Sequence, residues 1–359
     1  MLKKIDLYII KKFLGTFFFS LGMIIIIVIV FDVTERLDDF IEKQAPLKEI
    51  IFDYYMNFVP YFVNLFSALF IFISVIIFTA NMAGKTEIVA ILAGGISFYR
   101  LLVPYLVSAV ILFALSFYLN NFVIPKANKK RLQFENLYIK NAYRNSAQNI
   151  HRQIAPNEFI YFENFNNFSN VGFKFSLEKF DKGELKFKLL SDFVKWDTTA
   201  STWRIHNYQI REFDGEKETL VTGKFLDTVM NFHPDEFGQR NNAVEMYNYY
   251  ELNKAIEDEH FKGSEKVVYF QFEKYKRMVF PFATIILTVI GVSIASRKIR
   301  GGIGLHIMFG FLISFSYIIF MEFSKTFAIN GGAPPLLATW IPNILFGILA
   351  IFLLIKAPK

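Results

Sequence analysis

The hydrophobic residues of this chain are concentrated in six long stretches, three on each side of a polar insert. None of the six contains Asp, Glu, Lys or Arg. A helix of about 20 apolar residues is long enough to cross a hydrocarbon core of about 30 Å, whereas buried helices of soluble proteins are rarely so long and so free of charge. The pattern therefore predicts six transmembrane helices, at residues 13–31, 58–80, 101–124, 278–296, 303–321 and 336–355.

The insert, residues 125–277, is rich in Lys, Glu, Asp and Asn. Residues 125–148 read as a helical continuation of the third span. Apolar and polar residues then alternate over about 150–232, which is the period of half-buried antiparallel strands. We expect a small sandwich or an open barrel there. A short helix at 243–262 and a lead-in at 266–277 complete the insert.

Turn and bulge signals support the strand prediction. Lys182-Gly183 and Asp214-Gly215 are typical of hairpin turns. Trp203 and Ile205 are out of phase with Tyr208 and Ile210, which predicts a bulge between the two pairs. The fold class predicted is thus an α-helical polytopic membrane protein, with three helices in 1–124, a β-rich domain in 125–277 and three helices in 278–359.

Composition agrees with this division and excludes some chemistry. The chain of 359 residues is 53% hydrophobic and 18% aromatic, which is typical of an integral membrane protein with a soluble domain. It contains no cysteine, so disulfides, thiolate metal sites and cysteine nucleophiles are excluded. The five histidines are scattered, and the match of Gly84-Lys85-Thr86 to the end of a P-loop follows a membrane span instead of a strand. We predict no metal, cofactor, nucleic-acid partner or catalytic centre.

The distribution of cations predicts the orientation of the spans. With the N-terminus in the cytoplasm, the short inner segments carry eleven Lys or Arg and the short outer loops carry four. The flanks of the insert add seven outer cations and level that count, but long domains cross membranes largely regardless of charge. The insert is therefore expected outside. Its cationic collar contacts phospholipid headgroups or an anionic lipid cargo; its members are Lys126, Lys129, Lys130, Arg131, Lys274, Lys276 and Arg277.

Two further features suggest interaction sites. Glu322 and Lys325 lie at the outer end of the fifth span and are spaced to pair; they form an interfacial salt bridge or take part in gating a cargo. Between the second and third spans, residues 86–94 read as a short amphipathic helix with Thr86 as its cap and Gly94-Gly95 as its stop. Ile88, Ile91 and Leu92 give it an apolar edge that lies on lipid or docks into a partner, and Glu87 can pair with a cation there.

The run from Thr86 to Ser97, TEIVAILAGGIS, resembles the cytoplasmic coupling segment of the LptF/LptG (YjgP/YjgQ) permease family. Three other segments are similar to family patterns: the opening Ile5-Asp6-Leu7-Tyr8-Ile9, Phe280-Pro281-Phe282-Ala283 at the fourth span, and Pro334–Asn343 at the entry to the sixth. The three-plus-three layout extends the resemblance over the whole chain.

The resemblance implies a function and partners. Such permeases pair, as LptF with LptG, on a dimeric cytoplasmic ATPase, LptB, and extract lipopolysaccharide from the inner membrane. They pass it through periplasmic β-jellyroll domains to LptC/LptA-like proteins, in support of outer membrane biogenesis. The resemblance places Glu87, with Ile88, Ile91 and Leu92, against the ATPase. It also places spans one and five at a lateral gate.

One departure affects the cargo contacts that the resemblance implies. Asp32 and Asp39 fall where enterobacterial members carry lysines at the end of the first span. The nearest cations are Arg36 and Lys43, and Lys126–Arg131 can share the task. The predicted cargo-binding set is therefore Arg36, Lys43, Lys126, Lys129, Lys130, Arg131, Glu322 and Lys325.

Two other functions remain open at this point. A mechanical regulator or scaffold of envelope processes would share the transporter-like layout without moving lipid. A membrane-bound envelope enzyme would need a polar catalytic cluster, which the sequence does not display.

Overall fold

A computed structural model describes residues 3–139, 148–215, 217–238, 241–297 and 302–357. Six α-helices come before the first described strand: α1 (Lys4–Glu42), α2 (Leu47–Glu49), α3 (Met56–Gly84), α4 (Glu87–Ala93), α5 (Phe98–Tyr118) and α6 (Ile124–Tyr138). Six described strands and two short helices come next: β1 (Gln148–Ala155), β2 (Glu158–Asn166), β3 (Val171–Asp181), β4 (Glu184–Asp197), β5 (Thr202–Asp214), β6 (Lys217–Thr228), α7 (Asp235–Gly238) and α8 (Tyr249–Phe261). The last four described helices are α9 (Lys266–Val279), α10 (Phe282–Ala295), α11 (Gly302–Asn330) and α12 (Pro335–Ile355).

The chain divides into two compact units. The first comprises 1–139, 245–252 and 268–359 and contains the helical bundle; the second comprises 140–244 and 253–267 and contains the sheet. The predicted fold class, six spans around a β-rich insert, is confirmed. The last part of the predicted 125–148 helix and the cations Lys298, Arg300 and Lys359 lie outside the described residues.

Within the described residues, five helices are long and apolar enough to cross a membrane, and a bent pair makes a sixth when it is counted as one span. At 1.5 Å per residue, the 14 residues of α10 reach only about 21 Å. The helix α9 precedes it at an angle of 48° across Phe280-Pro281. The predicted lead-in at 266–277 is therefore itself helical and forms the first half of a broken span.

The helix α3 is the centre of the bundle. It is 61% buried over its most apolar window, against 22% for α1 and 28% for the fifth span. Gly291 on α10 and Gly310 on α11 allow these two helices to pack closely against α3. A Cβ at these positions would lie 2.9 Å from Val75 and 2.8 Å from Ile76, respectively. Small residues let membrane helices approach closely where lipid gives little hydrophobic drive for association.

Two spans contain a π-helical segment, at Ile50–Tyr55 before α3 and at Leu119–Val123 between α5 and α6. Such segments are rare and occur often at functional sites. Both lie at the same end of the bundle, because Tyr54 packs against Phe134 of α6. We call this the α6 end, and the opposite end, which carries α4, the α4 end.

The six described strands form one antiparallel sheet in chain order, with β1 and β6 at its edges. The alternative of a two-sheet sandwich is therefore wrong for this part of the chain. Lys182 and Gly183 both have positive φ, 49° and 86°, as a two-residue type I′ hairpin requires. The predicted bulge between Ile205 and Tyr208 is wrong, because the pairing register of β5 with β4 and β6 is the same on both sides of Asn207. The φ of Asn207 is 52° instead, and Trp203 and Ile205 before it pack into the same apolar core as Tyr208 and Ile210 after it.

One face of the sheet is closed by the segment that follows β6. Phe232 and Phe237 pack among the buried aromatic residues of the strands, and Trp203 Nε1 donates a hydrogen bond of 3.1 Å to the Phe232 carbonyl. The apolar face of the sheet is thus covered by the chain itself.

Candidate functional site

The short helix predicted between the second and third spans is present as α4, Glu87–Ala93. Gly94 ends it and Gly95 follows with φ of +82°, as predicted for the stop. Ser97 caps α5 by accepting a hydrogen bond of 3.3 Å from the Arg100 amide. The prediction that Thr86 caps α4 is wrong: its φ is 63° and its hydroxyl donates to the Lys85 carbonyl instead.

The apolar edge of α4 faces its own bundle. Ile88 is 1% exposed and belongs to the core that holds α1, α3 and α5 together, and Ile91 and Leu92 pack against that core. Val89 is 61% exposed, and Glu87 is half-buried at the first turn. The surface that α4 offers to another molecule is therefore formed by Glu87 and Val89, whereas Ile88 holds the helix in place.

An ion pair lies beside α4 at the same end of the bundle. The Arg100 guanidinium donates to both oxygens of Asp6, at 2.9 Å and 2.6 Å. Asp6 also accepts a hydrogen bond of 2.7 Å from the Lys3 amide, which caps α1. No local spacing in the sequence indicates this pair, because its two residues are 94 positions apart.

At the α6 end, Asp32 anchors α1 to the π-helical segment before α3. Its carboxylate accepts hydrogen bonds from the hydroxyls of Tyr54, at 3.2 Å, and Tyr55, at 3.0 Å. Arg36 lies 3.4 Å from the same carboxylate, one helical turn away. Arg36, a predicted cargo ligand, is thus engaged with Asp32. Asp32, which falls where the resemblance predicts a lysine, is thus hydrogen-bonded to both tyrosines.

The predicted cationic collar separates into an exposed and a buried part. Lys126, Lys129 and Lys130 are exposed at positions i, i+3 and i+4, so they share one face of α6. None of the three forms an ion pair with another described residue. Lys43 is also exposed, just after α1 ends. These four lysines remain accessible to an anionic ligand.

Arg131 is buried instead. Its guanidinium lies 3.5 Å from the carboxylates of Glu135 and Glu245, and 4.4 Å above the centre of the Tyr61 ring. Burial of a charge is tolerated when partners surround it in this way. Two ion pairs and a cation–π contact within the bundle therefore hold Arg131 away from any ligand in this structure.

Arg277 and Lys276, on α9, are also paired with a carboxylate of the chain. Both lie near Glu273, at 3.3 Å and 3.4 Å, and Arg277 also donates to the Tyr247 carbonyl at 2.6 Å. The predicted collar of seven cations thus includes three that are neutralised internally, by Glu135, Glu245 and Glu273.

A polar cavity of about 100 Å³ adjoins this charge cluster. Its volume is that of a few water molecules, at about 30 Å³ each. Tyr61, Asn128, Glu245, Glu273 and Lys276 are among its lining residues. Burial raises the pKa of Glu245, and the nearby charge of Glu273 raises it further against the opposing effect of Arg131.

Asn64 and Asn120 also line this cavity and join the second span to the π-helical segment of the third. The Ser116 hydroxyl donates to Asn64 Oδ1 at 3.1 Å. Polar side chains inside a membrane bundle are usually satisfied by one another in this way. No sequence spacing indicated this network, because its members are 52 and 56 residues apart.

Glu322 and Lys325 form the pair expected from their spacing, with 3.8 Å between Lys325 Nζ and Glu322 Oε2. The ammonium group of Lys325 also lies 5.6 Å from the centre of the Tyr269 ring on α9. The Glu322 side chain is 63% exposed, so the ion pair itself contributes little to stability. Within the described residues, no His, Asp and Glu group is arranged to hold a metal ion.

Comparison with protein-family models identifies the family of this chain. The family model described as lipopolysaccharide export system permease LptF/LptG matches residues 7–356, which is nearly the whole sequence. A search of curated proteins found no match. The matched region includes every described helix after the first three residues of α1, and the whole sheet. The chain belongs to the LptF/LptG family of lipopolysaccharide export permeases.

Proposed function

We propose that this chain is a permease subunit of an ABC transporter that extracts lipopolysaccharide from the bacterial inner membrane and passes it to a periplasmic bridge. A separate cytoplasmic ATPase dimer supplies the energy. The observation that carries the proposal is the match of the LptF/LptG model over residues 7–356. The chain itself acts as a transport subunit and not as an enzyme.

In this proposal the α4 end faces the cytoplasm and the insert lies in the periplasm. The excess of cations in the short segments at the α4 end supports that orientation. Both termini then lie in the cytoplasm. The domain limits follow: spans within 1–124, a periplasmic domain within 125–277 and spans within 278–359.

The ATPase docks on α4 through the surface formed by Glu87 and Val89. A partly exposed carboxylate beside an exposed apolar side chain suits a groove that combines a cation with apolar walls. The inward packing of Ile88, Ile91 and Leu92 supports a rigid docking helix, since these side chains fix its position on the bundle.

The cargo approaches the α6 end, where the exposed lysines attract its phosphates. Lys126, Lys129, Lys130 and Lys43 are the accessible members of the predicted set. Arg36, Arg131 and Lys325 have partners within the chain, so each would have to exchange a partner to bind phosphate, whereas the carboxylate of Glu322 would repel it. We therefore assign the first contact with lipid phosphate to the lysine face of α6.

Two protein neighbours complete the proposal. A second LptF/LptG-like permease pairs with this chain in the membrane. An LptC- or LptA-like protein adds a strand to an edge of the sheet. The edge strand β6 supports this, since it exposes Leu220, Val221 and Phe225 together with an unpaired backbone edge.

The test is co-purification followed by native mass spectrometry of the complex. Wild-type chain should carry an ATPase dimer, a second permease and lipopolysaccharide. Glu87→Ala should reduce the recovered ATPase while membrane insertion stays normal. Glu184→Ala, which removes an exposed carboxylate paired with Lys186 on the sheet, is the matched control. Full ATPase recovery in Glu87→Ala would refute the docking site, and a cell-wall hydrolase in place of the ATPase would favour a regulator.

A further inference from the structure

The helix α1 is attached to the bundle along a single narrow stripe. Only 22% of its most apolar window is buried. The buried residues recur every fourth position, at Ile9, Phe13, Phe17, Leu21 and Ile25. A helix with contacts on one side loses little buried area when it moves. Of the five unbroken spans described, α1 therefore has the smallest buried share, so packing along this window opposes its displacement least.

A strong polar contact holds α1 at the α4 end. Arg100 binds both oxygens of Asp6, and the Asp6 residue is only 3% exposed. A bidentate charge-assisted pair fixes the angle between its partners as well as their distance. A displacement of Arg100 must therefore also displace the first turn of α1.

Arg100 is in turn tied to α4 through a short hydrogen-bonded connection. The Gly95 amide donates to Leu92 at 3.0 Å, and the Ile96 amide donates to Ile91 at 3.4 Å. The Arg100 amide then donates to the carbonyl of Ser97 at 3.0 Å. The bonds on the α4 side end at Ile96 and those on the α5 side begin at Ser97, the next residue. Two ordered segments joined by one peptide link therefore connect α4 to Arg100, so a displaced α4 pulls on Arg100.

A cavity of about 30 Å³ lies between this connection and α1. Ile9, Ile91 and Ile96 are among its lining residues, together with Asp6 and Arg100. The apolar contact between the connection and α1 is incomplete at this point. The ion pair is therefore the firmest link between them.

We propose that Asp6 and Arg100 are positioning residues that transmit displacement of α4 to α1. The inference rests on the proposed function, in which the ATPase moves α4. The 39 residues of α1 form one unbroken helix, so a shift of its first turn also reaches Asp32 and the π-helical segment at the α6 end.

The experiment uses the full chain assembled with its ATPase and second permease in lipid nanodiscs. ATP hydrolysis and release of lipopolysaccharide to an acceptor protein are measured on the same sample. The variants are Arg100→Ala, Asp6→Asn, Arg100→Lys and the reversed pair Asp6→Arg with Arg100→Asp. Arg100→Lys keeps the charge without the fork, so it tests the inference even where Arg100→Ala fails to fold.

We expect Arg100→Ala and Asp6→Asn to hydrolyse ATP nearly as the wild type does. Release per ATP hydrolysed falls about tenfold, within the range of coupling between distant sites. The release per ATP hydrolysed by Arg100→Lys should lie between those of the wild type and of Arg100→Ala. The reversed pair should recover part of the wild-type release per ATP. The control is Lys188→Ala, because Lys188 forms an ion pair of 2.8 Å with Glu178 between β4 and β3, away from the edge strand β6. Its ratio should be unchanged.

An unchanged ratio in both single variants would overturn the inference. A parallel loss of hydrolysis and release would also overturn it, because that result indicates a role in assembly. So would a reversed pair that assembles fully and recovers nothing. If the wild-type complex hydrolyses ATP but releases no lipopolysaccharide, the proposed function fails and this inference with it.

Discussion

The side-chain amides of Asn64 and Asn120 donate hydrogen bonds to each other, both at 2.9 Å, across the second and third spans. The reciprocal arrangement satisfies one donor and one acceptor on each side chain. It lies at the wall of the polar cavity and beside the π-helical turn of the third span. The pair thus stabilises an otherwise costly polar break in a membrane bundle.

Replacing Asn120 by Leu should therefore destabilise the bundle by about 1 kcal/mol, a usual value for such bonds in membranes. The loss arises because Asn64 and Ser116 keep polar groups without their partner. Thermal unfolding in detergent measures it. The double variant Asn64→Leu with Asn120→Leu should lose less than the sum of the single variants, and strict additivity would contradict the pairing.

Adjacent residues on α4 should separate stability from docking. Ile88→Ala should cost about 2–5 kcal/mol of stability, because it leaves a cavity in the core. Val89→Ala should change stability by less than about 0.5 kcal/mol, since its side chain is mostly exposed. It should nevertheless weaken ATPase binding, measured by titration of the purified partner. The opposite result for the two variants would reverse the assignment of the inner and outer faces.

Close packing at Gly291 should make even a methyl group costly. A Cβ there would lie 2.9 Å from Val75 and 3.2 Å from Phe72, both on the central helix α3. We expect Gly291→Ala to destabilise the bundle by about 1–3 kcal/mol through overpacking. Gly347→Ala is the matched control, because nothing lies within 4 Å of its Cβ position. Equal unfolding temperatures for the two variants would argue against the close contact.

Stability should depend on pH through Glu245. Burial and the charge of Glu273 raise its pKa in the folded chain above the ordinary value of 4.5. The folded state then binds the proton more tightly than the unfolded state does. The contribution of Glu245 is therefore complete below pH 4.5 and is lost as the pH rises through the folded pKa.

The variant Glu245→Gln should lack this component of the pH dependence. Unfolding of both proteins, followed from pH 4 to pH 8, measures the difference between them. The advantage of the wild type over the variant should shrink as the pH increases. A difference that grows with pH would mean that Arg131 dominates and that the pKa of Glu245 is lowered.

Local patterns in the sequence were sufficient for much of the fold. The Lys182-Gly183 hairpin, the change of phase between Ile205 and Tyr208 and the helix from Glu87 were predictable, because each depends on residues adjacent in the chain. The bend at Phe280-Pro281 was not predicted. There, an apolar stretch read as one straight span, although proline interrupts the helix and α9 supplies the remaining length.

The candidate site was predictable only in part for a related reason. A count of cations cannot reveal that Arg131 and Arg277 are buried beside Glu135, Glu245 and Glu273. In the same way, the apolar spacing of α4 predicts its apolar face correctly, but it allows either lipid or a partner protein to cover that face. The bundle itself covers that face.

The sequence by itself determined the membrane spans, the strand-rich insert and the family, because hydrophobic length, alternation and motif order are properties of neighbouring residues. Only the tertiary structure decided which charges pair and which remain accessible. Asp6 meets Arg100 across 94 residues, and Asn64 meets Asn120 across 56. Such contacts depend on how helices pack in space, and no local spacing records that packing.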